Sequence, residues 1–120
     1  MASILIVDDE APIRALLRRI LEDDGHTVRE ASNGQMGLNL YREDPADLVL
    51  TDILMPERDG MEVTLALTQE FLDAKVIAMT GATGDQNFLN VAKLFGARRV
   101  IQKPFTVDEI KRLVRFTLEH

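Results

Sequence analysis

The sequence predicts an α/β fold in which five β–α units build a doubly wound sheet of five parallel strands. Short apolar runs alternate along the chain with segments whose apolar residues recur at helical spacing. This alternation is typical of a parallel sheet covered by helices on both faces. Turn and capping residues separate the segments. The length of 120 residues suits one domain, so residues 1–120 are expected to form a single domain.

Five short runs are predicted as strands. Most are largely apolar, as expected for strands buried on both faces of a parallel sheet, whereas the second is weaker and edge-like. In chain order they are Ser3–Val7, Thr27–Ala31, 47–51, 75–79 and Arg99–Gln102.

The first two helices are predicted from the residues at their ends. Pro12 lies near the first turn of the first helix and Gly25 lies just past its end, where each residue type is favoured. Ser32 and Gln35 resemble a capping box for a second helix that continues to about Tyr41. The apolar stripe of the first helix comprises Ile13, Leu16, Leu17, Ile20 and Leu21.

Three further helices alternate with the later strands. The third is predicted from 60 to about 72, and the fourth spans 88–95 and is stopped by Gly96. The last follows Thr106, which with Glu109 is expected to cap it. Their apolar stripes are Met61, Leu65 and Leu72, then Phe88, Val91, Ala92 and Phe95, then Ile110, Leu113 and Val114.

Composition and charge exclude several classes of function. The chain has no cysteine, which removes disulfides, thiolate metal sites and cysteine nucleophiles. Its formal net charge of −6 disfavours direct contact with nucleic acid. No apolar run approaches the ~20 residues of a membrane-spanning helix, and no secretory signal precedes the first strand. We therefore expect a cytoplasmic domain that contacts neither nucleic acid nor membrane. Residues 1–3 and 118–120 resemble remnants of expression vectors, with native ends as the open alternative.

Polar residues follow four of the predicted strands. Asp8 and Asp9 follow the first, Asp52 the third, Thr80 the fourth and Lys103 the fifth. Because the carboxyl ends of parallel strands open on one edge of the sheet, we expect these side chains to meet in one shallow site. Three carboxylates suit Mg²⁺, and a lysine and a hydroxyl suit the oxygens of a phosphoryl group. The candidate nucleophile is then a carboxylate, which would form an aspartyl phosphate.

Each of these residues also has a structural alternative. Asp8 or Asp9 could cap the helix that follows, and Asp52 could be a loop acid. Thr80 could be a turn residue, and Lys103 could be a solvated surface lysine. Their joint placement at the strand ends favours the site, because fold and chemistry then agree.

Four motifs resemble those of response-regulator receiver domains, the family that includes the bacterial chemotaxis regulator. They are ILIVDDE at 4–10, DLVLTDILMPERDG at 47–60, IAMTG at 77–81 and QKPFT at 102–106. The resemblance covers essentially the whole chain, and it is specific because the motifs occur together in this order. It implies a flavodoxin-like fold with strand order 2-1-3-4-5.

The resemblance also implies a phosphoacceptor site. Asp52 would accept the phosphoryl group, Thr80 would move towards it after transfer, and Lys103 would pair with it. The backbone N–H groups of Leu54 and Gly81 would help to hold its oxygens.

A Mg²⁺ site beside the phosphoacceptor is implied in the same way. Asp9 would bind the ion directly and Asp8 largely through water, while Asp52 and the backbone carbonyl of Leu54 would supply further ligands. Pro104 would follow a cis peptide bond.

Three positions distinguish this chain within the family pattern. Val100 stands three residues before Lys103, where the family usually has an aromatic residue that rotates inward on activation. A valine has few rotamers and no ring, so we expect a smaller conformational change on activation, or one through Phe105 or the fourth helix.

Leu54 and Ala82 occupy positions that influence how long the phosphoryl group lasts. Neither can orient water by hydrogen bonding, which predicts a long-lived phosphorylated form.

The implied function is a phosphoacceptor switch in a two-component phosphorelay. A phosphohistidine of a partner kinase or phosphotransfer protein would donate to the domain. The change would reach an effector domain or protein through the fourth helix, fifth strand and last helix, a face that could also form a homodimer. The domain would catalyse its own phosphorylation and dephosphorylation without being a turnover enzyme.

Three other functions stay open at this point. A haloacid-dehalogenase-like phosphatase would need a second acid two residues after Asp52, where Leu54 stands. A flavin-binding or structural α/β domain would have a phosphate-binding loop after the first strand, where residues 8–10 are acids. A degenerate receiver would bind partners without phosphorylation, which the intact acids oppose and Val100 favours.

Overall fold

The computed structural model describes residues 1–53, 60–80, 93 and 96–120. Within 60–80, the side chains are described from residue 62 onward. The strands are β1 (Ser3–Val7), β2 (Thr27–Ala31), β3 (Leu48–Asp52), β4 (Val76–Thr80) and β5 (Arg99–Gln102). The helices are α1 (Ala11–Asp23), α2 (Gly34–Glu43), α3 (Gly60–Glu70) and α4 (Val107–Glu119). Of the helix predicted over 88–95, residue 93 alone is among the described residues.

All five strands are parallel and lie in the order β2-β1-β3-β4-β5. This confirms the predicted fold class and strand order. Val7 at the end of β1 is level with Thr51 of β3, and Thr80 at the end of β4 is level with Gln102 of β5. The polar residues at the strand ends are therefore brought to one edge of the sheet.

Alternate residues of the central strands point to opposite faces of the sheet and build two cores. One core packs against α1 and α4 and contains Ile4, Ile6, Leu17, Leu21, Leu48, Leu50, Ile77, Met79, Ile110 and Val114. The other packs against α2 and α3 and contains Leu5, Val7, Leu38, Tyr41, Val49, Val63, Leu67 and Val76. β1, β3 and β4 are thus covered on both sides, which explains why each contains at least three consecutive apolar residues.

Two strands begin and end one residue later than predicted. β3 starts at Leu48 and includes Asp52, and β4 starts at Val76 and includes Thr80. Asp47 lies outside β3, where its side chain accepts a hydrogen bond of 2.8 Å from the N–H of Ser3. Asp52 is opposite Met79 in the ladder, so the candidate phosphoacceptor is fixed by the sheet itself rather than by a loop.

The prediction of a Ser32–Gln35 capping box is wrong by one residue. Asn33 caps α2, and its side-chain oxygen accepts a hydrogen bond of 2.8 Å from the N–H of Met36. At the last helix the predicted cap is confirmed, because the Thr106 hydroxyl accepts from the N–H of Glu109 at 3.1 Å.

Parts of two predicted apolar stripes are wrong. Leu16 of α1 is 47% exposed, and Leu72 lies beyond the end of α3 and is 87% exposed. α3 instead buries Val63, Thr64 and Leu67, which share one helical face because Leu67 follows Val63 by four residues and Thr64 by three. Among the helices that the structure describes, none has the length and apolar character to cross a membrane.

Candidate functional site

Asp8 is the most deeply buried acid at the carboxyl edge of the sheet. It follows β1 directly, and its side chain has no exposed surface. One carboxylate oxygen, Oδ1, accepts from the N–H of Glu10 at 2.9 Å. The other, Oδ2, accepts from Lys103 Nζ, also at 2.9 Å. A buried carboxylate requires such partners, because an unpaired buried charge is costly.

Lys103 connects the end of β5 with the turn that follows β1. It follows β5, and its N–H donates to the carbonyl of Thr80 at 2.7 Å, so the sheet pairing continues to the lysine itself. Nζ lies 3.6 Å from Asp52 Oδ2 and 3.7 Å from Glu10 Oε1, in addition to its contact with Asp8. The peptide bond to Pro104 is cis, as the resemblance implied.

The charges around Lys103 keep its ammonium protonated. Burial acts to lower the pKa of Lys103, but the hydrogen bond that its ammonium donates to Asp8 and the charges of Asp52, Asp8 and Glu10 outweigh it and raise that pKa above its ordinary value. The lysine therefore offers a permanent positive charge within reach of the Asp52 carboxylate.

Four acids converge in an arrangement that could hold a cation. Asp8, Asp9, Glu10 and Asp52 each place one carboxylate oxygen within 4.8 Å of those of the other three. Asp8 and Asp52 are buried, whereas Asp9 and Glu10 are exposed, so the cluster is open on one side. An all-oxygen donor set with open positions fits Mg²⁺. Glu10 was absent from the sequence-based site, although it is the third of three consecutive acids after β1.

Thr80 contributes a buried hydroxyl at the end of β4. The residue is 1% exposed, and Oγ1 has no hydrogen-bond partner among the described residues. A buried hydroxyl without a partner is unfavourable, and at this edge of the sheet it fits a donor that bonds an incoming oxygen. Leu54 and Gly81, whose backbone groups were predicted to bind metal or phosphoryl oxygens, lie outside the described residues.

Val100 lies on β5, level with Ala78 of β4. It is half-buried and packs against a small cluster formed by Ile53, Ala78 and Ala97. These neighbours are aliphatic, so the position is a packed part of the sheet face rather than a polar contact to the site.

Comparisons with known proteins identify the family to which the chain is similar. The family model described as "Response regulator receiver domain" matches residues 4–115. A chemotaxis protein CheY of Bacillus subtilis is 39% identical over 116 residues, which are 96% of each chain. Sporulation initiation phosphotransferase F of the same organism is 36% identical over 93% of this chain and 90% of that protein.

Solved structures of similar proteins have the same fold. The receiver domain of NtrX from Brucella abortus superposes with a TM-score of 0.92 at 30% identity, covering 97% of this chain and 98% of that one. A CheY-like receiver domain protein from Methanospirillum hungatei gives a TM-score of 0.94 at 27% identity, covering 99% and 94%. The fold, the acid cluster and the matches lead to one conclusion. The chain belongs to the response regulator receiver domain family, and it is a signalling domain of two-component systems.

Proposed function

We propose that the domain is a phosphoacceptor switch in which Asp52 takes a phosphoryl group from a phosphohistidine of a partner kinase or phosphotransfer protein. The family interacts with proteins of both kinds. The observation that carries the proposal is the convergence of acids from β1 and β3 on one lysine. Lys103 Nζ lies 2.9 Å from Asp8 and 3.6 Å from Asp52.

The transfer is a direct displacement at phosphorus. A carboxylate oxygen of Asp52 forms a new P–O bond while the P–N bond to the donor imidazole breaks, and the imidazole leaves with the electron pair and takes up a proton. Asp52 is fixed at the end of β3 and therefore attacks from a defined position. The acids that surround it would repel the incoming phosphoryl group unless positive charge offsets them.

Lys103 supplies part of that positive charge, and the acid cluster offers a binding site for a cation that would supply the rest. Lys103 pairs with a phosphoryl oxygen, and the Thr80 hydroxyl donates a hydrogen bond to another. Asp8, Asp9, Asp52 and the Leu54 carbonyl are the proposed Mg²⁺ ligands, and Glu10 is added as a candidate because its carboxylate lies in the same cluster. When bound, Mg²⁺ supplies charge neutralisation for the acids and the phosphoryl oxygens.

The change at Thr80 is proposed to pass to the face that includes β5 and α4. Val100 has no ring to rotate, so the response there is a small repacking against Ile53, Ala78 and Ala97. Such a switch biases two conformations of the output face, which would contact an effector or a second copy of the domain.

Intact-mass measurement after incubation with Mg²⁺ and a small phosphodonor tests the proposal. The wild type is expected to gain one phosphoryl group, and Asp52→Asn is expected to gain none. Asp47→Asn is the matched control, because Asp47 lies just before the same strand at the opposite edge and contacts Ser3. An unmodified wild type, or equal labelling of Asp52→Asn, would contradict the proposal.

A further inference from the structure

We propose that Arg14 is a positioning residue that holds the end of β1 so that the acid cluster has the geometry that binds Mg²⁺. The inference deepens the proposed function and rests on its metal site. Arg14 belongs to the first turn of α1 and was not part of the sequence-based site.

The guanidinium of Arg14 joins β2 to the turn after β1. Nη1 donates to the backbone carbonyl of Asp8 at 2.7 Å, and Nε donates to Glu30 Oε1 at 3.2 Å. The Arg14 side chain is 17% exposed and that of Glu30 25%, so both bonds are largely shielded from water. The planar fork of arginine can satisfy both acceptors at once, which the single ammonium of lysine cannot do in the same geometry.

The Asp8 carbonyl, which accepts from Arg14, determines how the backbone is oriented at Asp9. It belongs to the peptide between Asp8 and Asp9, and a peptide unit is planar. Fixing its oxygen therefore fixes the orientation of the Asp9 N–H and the path of the chain into Asp9. The Asp8 carboxylate is already held by Glu10 N–H and Lys103, whereas Asp9 is exposed and depends on its backbone for its position.

Arg18 provides a matched comparison one turn further along α1. Its Nη1 donates to Glu30 at 2.5 Å and its Nη2 donates to the carbonyl of Val28 at 2.6 Å. Arg14 and Arg18 thus share Glu30, carry the same charge and lie on the same helix. They differ in that the described contacts of Arg14 include Asp8, whereas those of Arg18 go to β2 and to Glu22.

Stabilisation by magnesium alone measures the proposed role without any phosphodonor. A ligand that binds the folded state raises the free energy of unfolding according to its concentration relative to Kd. Urea midpoints are measured over a series of MgCl₂ concentrations at constant ionic strength for the wild type, Arg14→Gln, Arg14→Lys and Arg18→Gln. We expect Arg14→Gln to need about tenfold more Mg²⁺ than the wild type for the same rise in midpoint, as is typical when an outer partner of a metal site is lost.

The three variants distinguish a positioning role of Arg14 from a general effect on stability and from an effect of the arginine charge. Arg18→Gln is expected to lower the midpoint without Mg²⁺ but to keep the wild-type Mg²⁺ dependence. Arg14→Lys is expected to resemble Arg14→Gln, because it keeps the charge and loses the fork. Equal Mg²⁺ dependence of Arg14→Gln and Arg18→Gln, or full restoration by Arg14→Lys, would overturn the positioning role. A wild type that gains no stability from Mg²⁺ would instead overturn the metal site itself.

Discussion

Replacing Lys103 with methionine tests how strongly the candidate site depends on the ammonium group of this residue. The Asp8 side chain is fully buried, the Lys103 side chain is 13% exposed, and the charged atoms are 2.9 Å apart. Methionine keeps the unbranched shape of the side chain but removes the ammonium. The Asp8 carboxylate would then retain its hydrogen bond from Glu10 N–H but lose the neighbouring positive charge.

The expected loss follows from the burial of the pair. Removing one partner of a buried ion pair costs about 3–5 kcal/mol, and the partial exposure of Lys103 places this case at the lower end, about 3 kcal/mol. With a urea m-value of about 1.5 kcal/mol per molar, that loss lowers the urea midpoint by about 2 M. The double variant Lys103→Met with Asp8→Asn is expected to recover at least about half of the loss, because an amide carries no charge to bury.

Urea unfolding without divalent cations is the measurement. Lys75→Met is the control, because Lys75 Nζ donates to the neutral carbonyl of Leu118 at 2.6 Å, and the loss of this bond leaves no unpaired charge and should cost about 1.5 kcal/mol. A loss for Lys103→Met no larger than for Lys75→Met would refute the reasoning. So would a double variant no more stable than Lys103→Met alone.

The remaining predictions concern pH, a helix cap and the lifetime of the phosphorylated form. Burial holds the pKa of the His26 imidazole below its ordinary value of 6.5. Between the folded and the unfolded pKa, the folded state therefore binds fewer protons than the unfolded state. The free energy of unfolding consequently falls as the pH drops below 6.5. Urea midpoints at about pH 7.5 and about pH 5.5 should therefore differ less for His26→Gln than for the wild type; an unchanged difference would contradict the assignment. Asn33→Ala should lower the free energy of unfolding in urea by about 1 kcal/mol, and Ser32→Ala should lower it much less. The reverse order would show that Ser32, and not Asn33, caps α2. A time course of the phosphorylated protein with Mg²⁺ should show slow loss, because Leu54 and Ala82 cannot orient water; decay within seconds would exclude this.

The sheet could be predicted because its signal is repeated along the chain. Each central strand is a short apolar run followed by a polar residue, and helix-forming segments separate the runs. The prediction failed where two local interpretations compete. Ser32 and Asn33 are adjacent and both are good capping residues, so the sequence could not show which one would face Met36. Leu16 and Leu72 have the composition of core residues, but only the packing of the elements shows that each lies outside the core.

The sequence predicted that the residues of the candidate site lie at one edge of the sheet, but it did not predict the contacts that support them. Asp8, Asp52, Thr80 and Lys103 could be placed there because each follows or ends a strand at that edge. Contacts such as that of Arg14 with the Asp8 carbonyl carry no sequence pattern, since a backbone acceptor is present at every position. They become visible only when the register of β1 and β2 is known.

The charge of the site explains why the lysine and a metal would both be needed. Among the described residues, the four carboxylates of the cluster and the Lys103 ammonium leave a formal surplus of three negative charges around Asp52. A phosphoryl group would add further negative charge to this surplus, so Lys103 alone cannot make transfer to Asp52 favourable. A divalent cation removes most of the surplus, and it does so only if Asp8, Asp9 and Asp52 keep a common orientation. Lys103 is 95 residues from Asp8 in sequence, and Arg14 reaches the same turn from α1. The candidate site is therefore complete only when the whole sheet has formed, which would couple the proposed capacity to accept a phosphoryl group to the folded state.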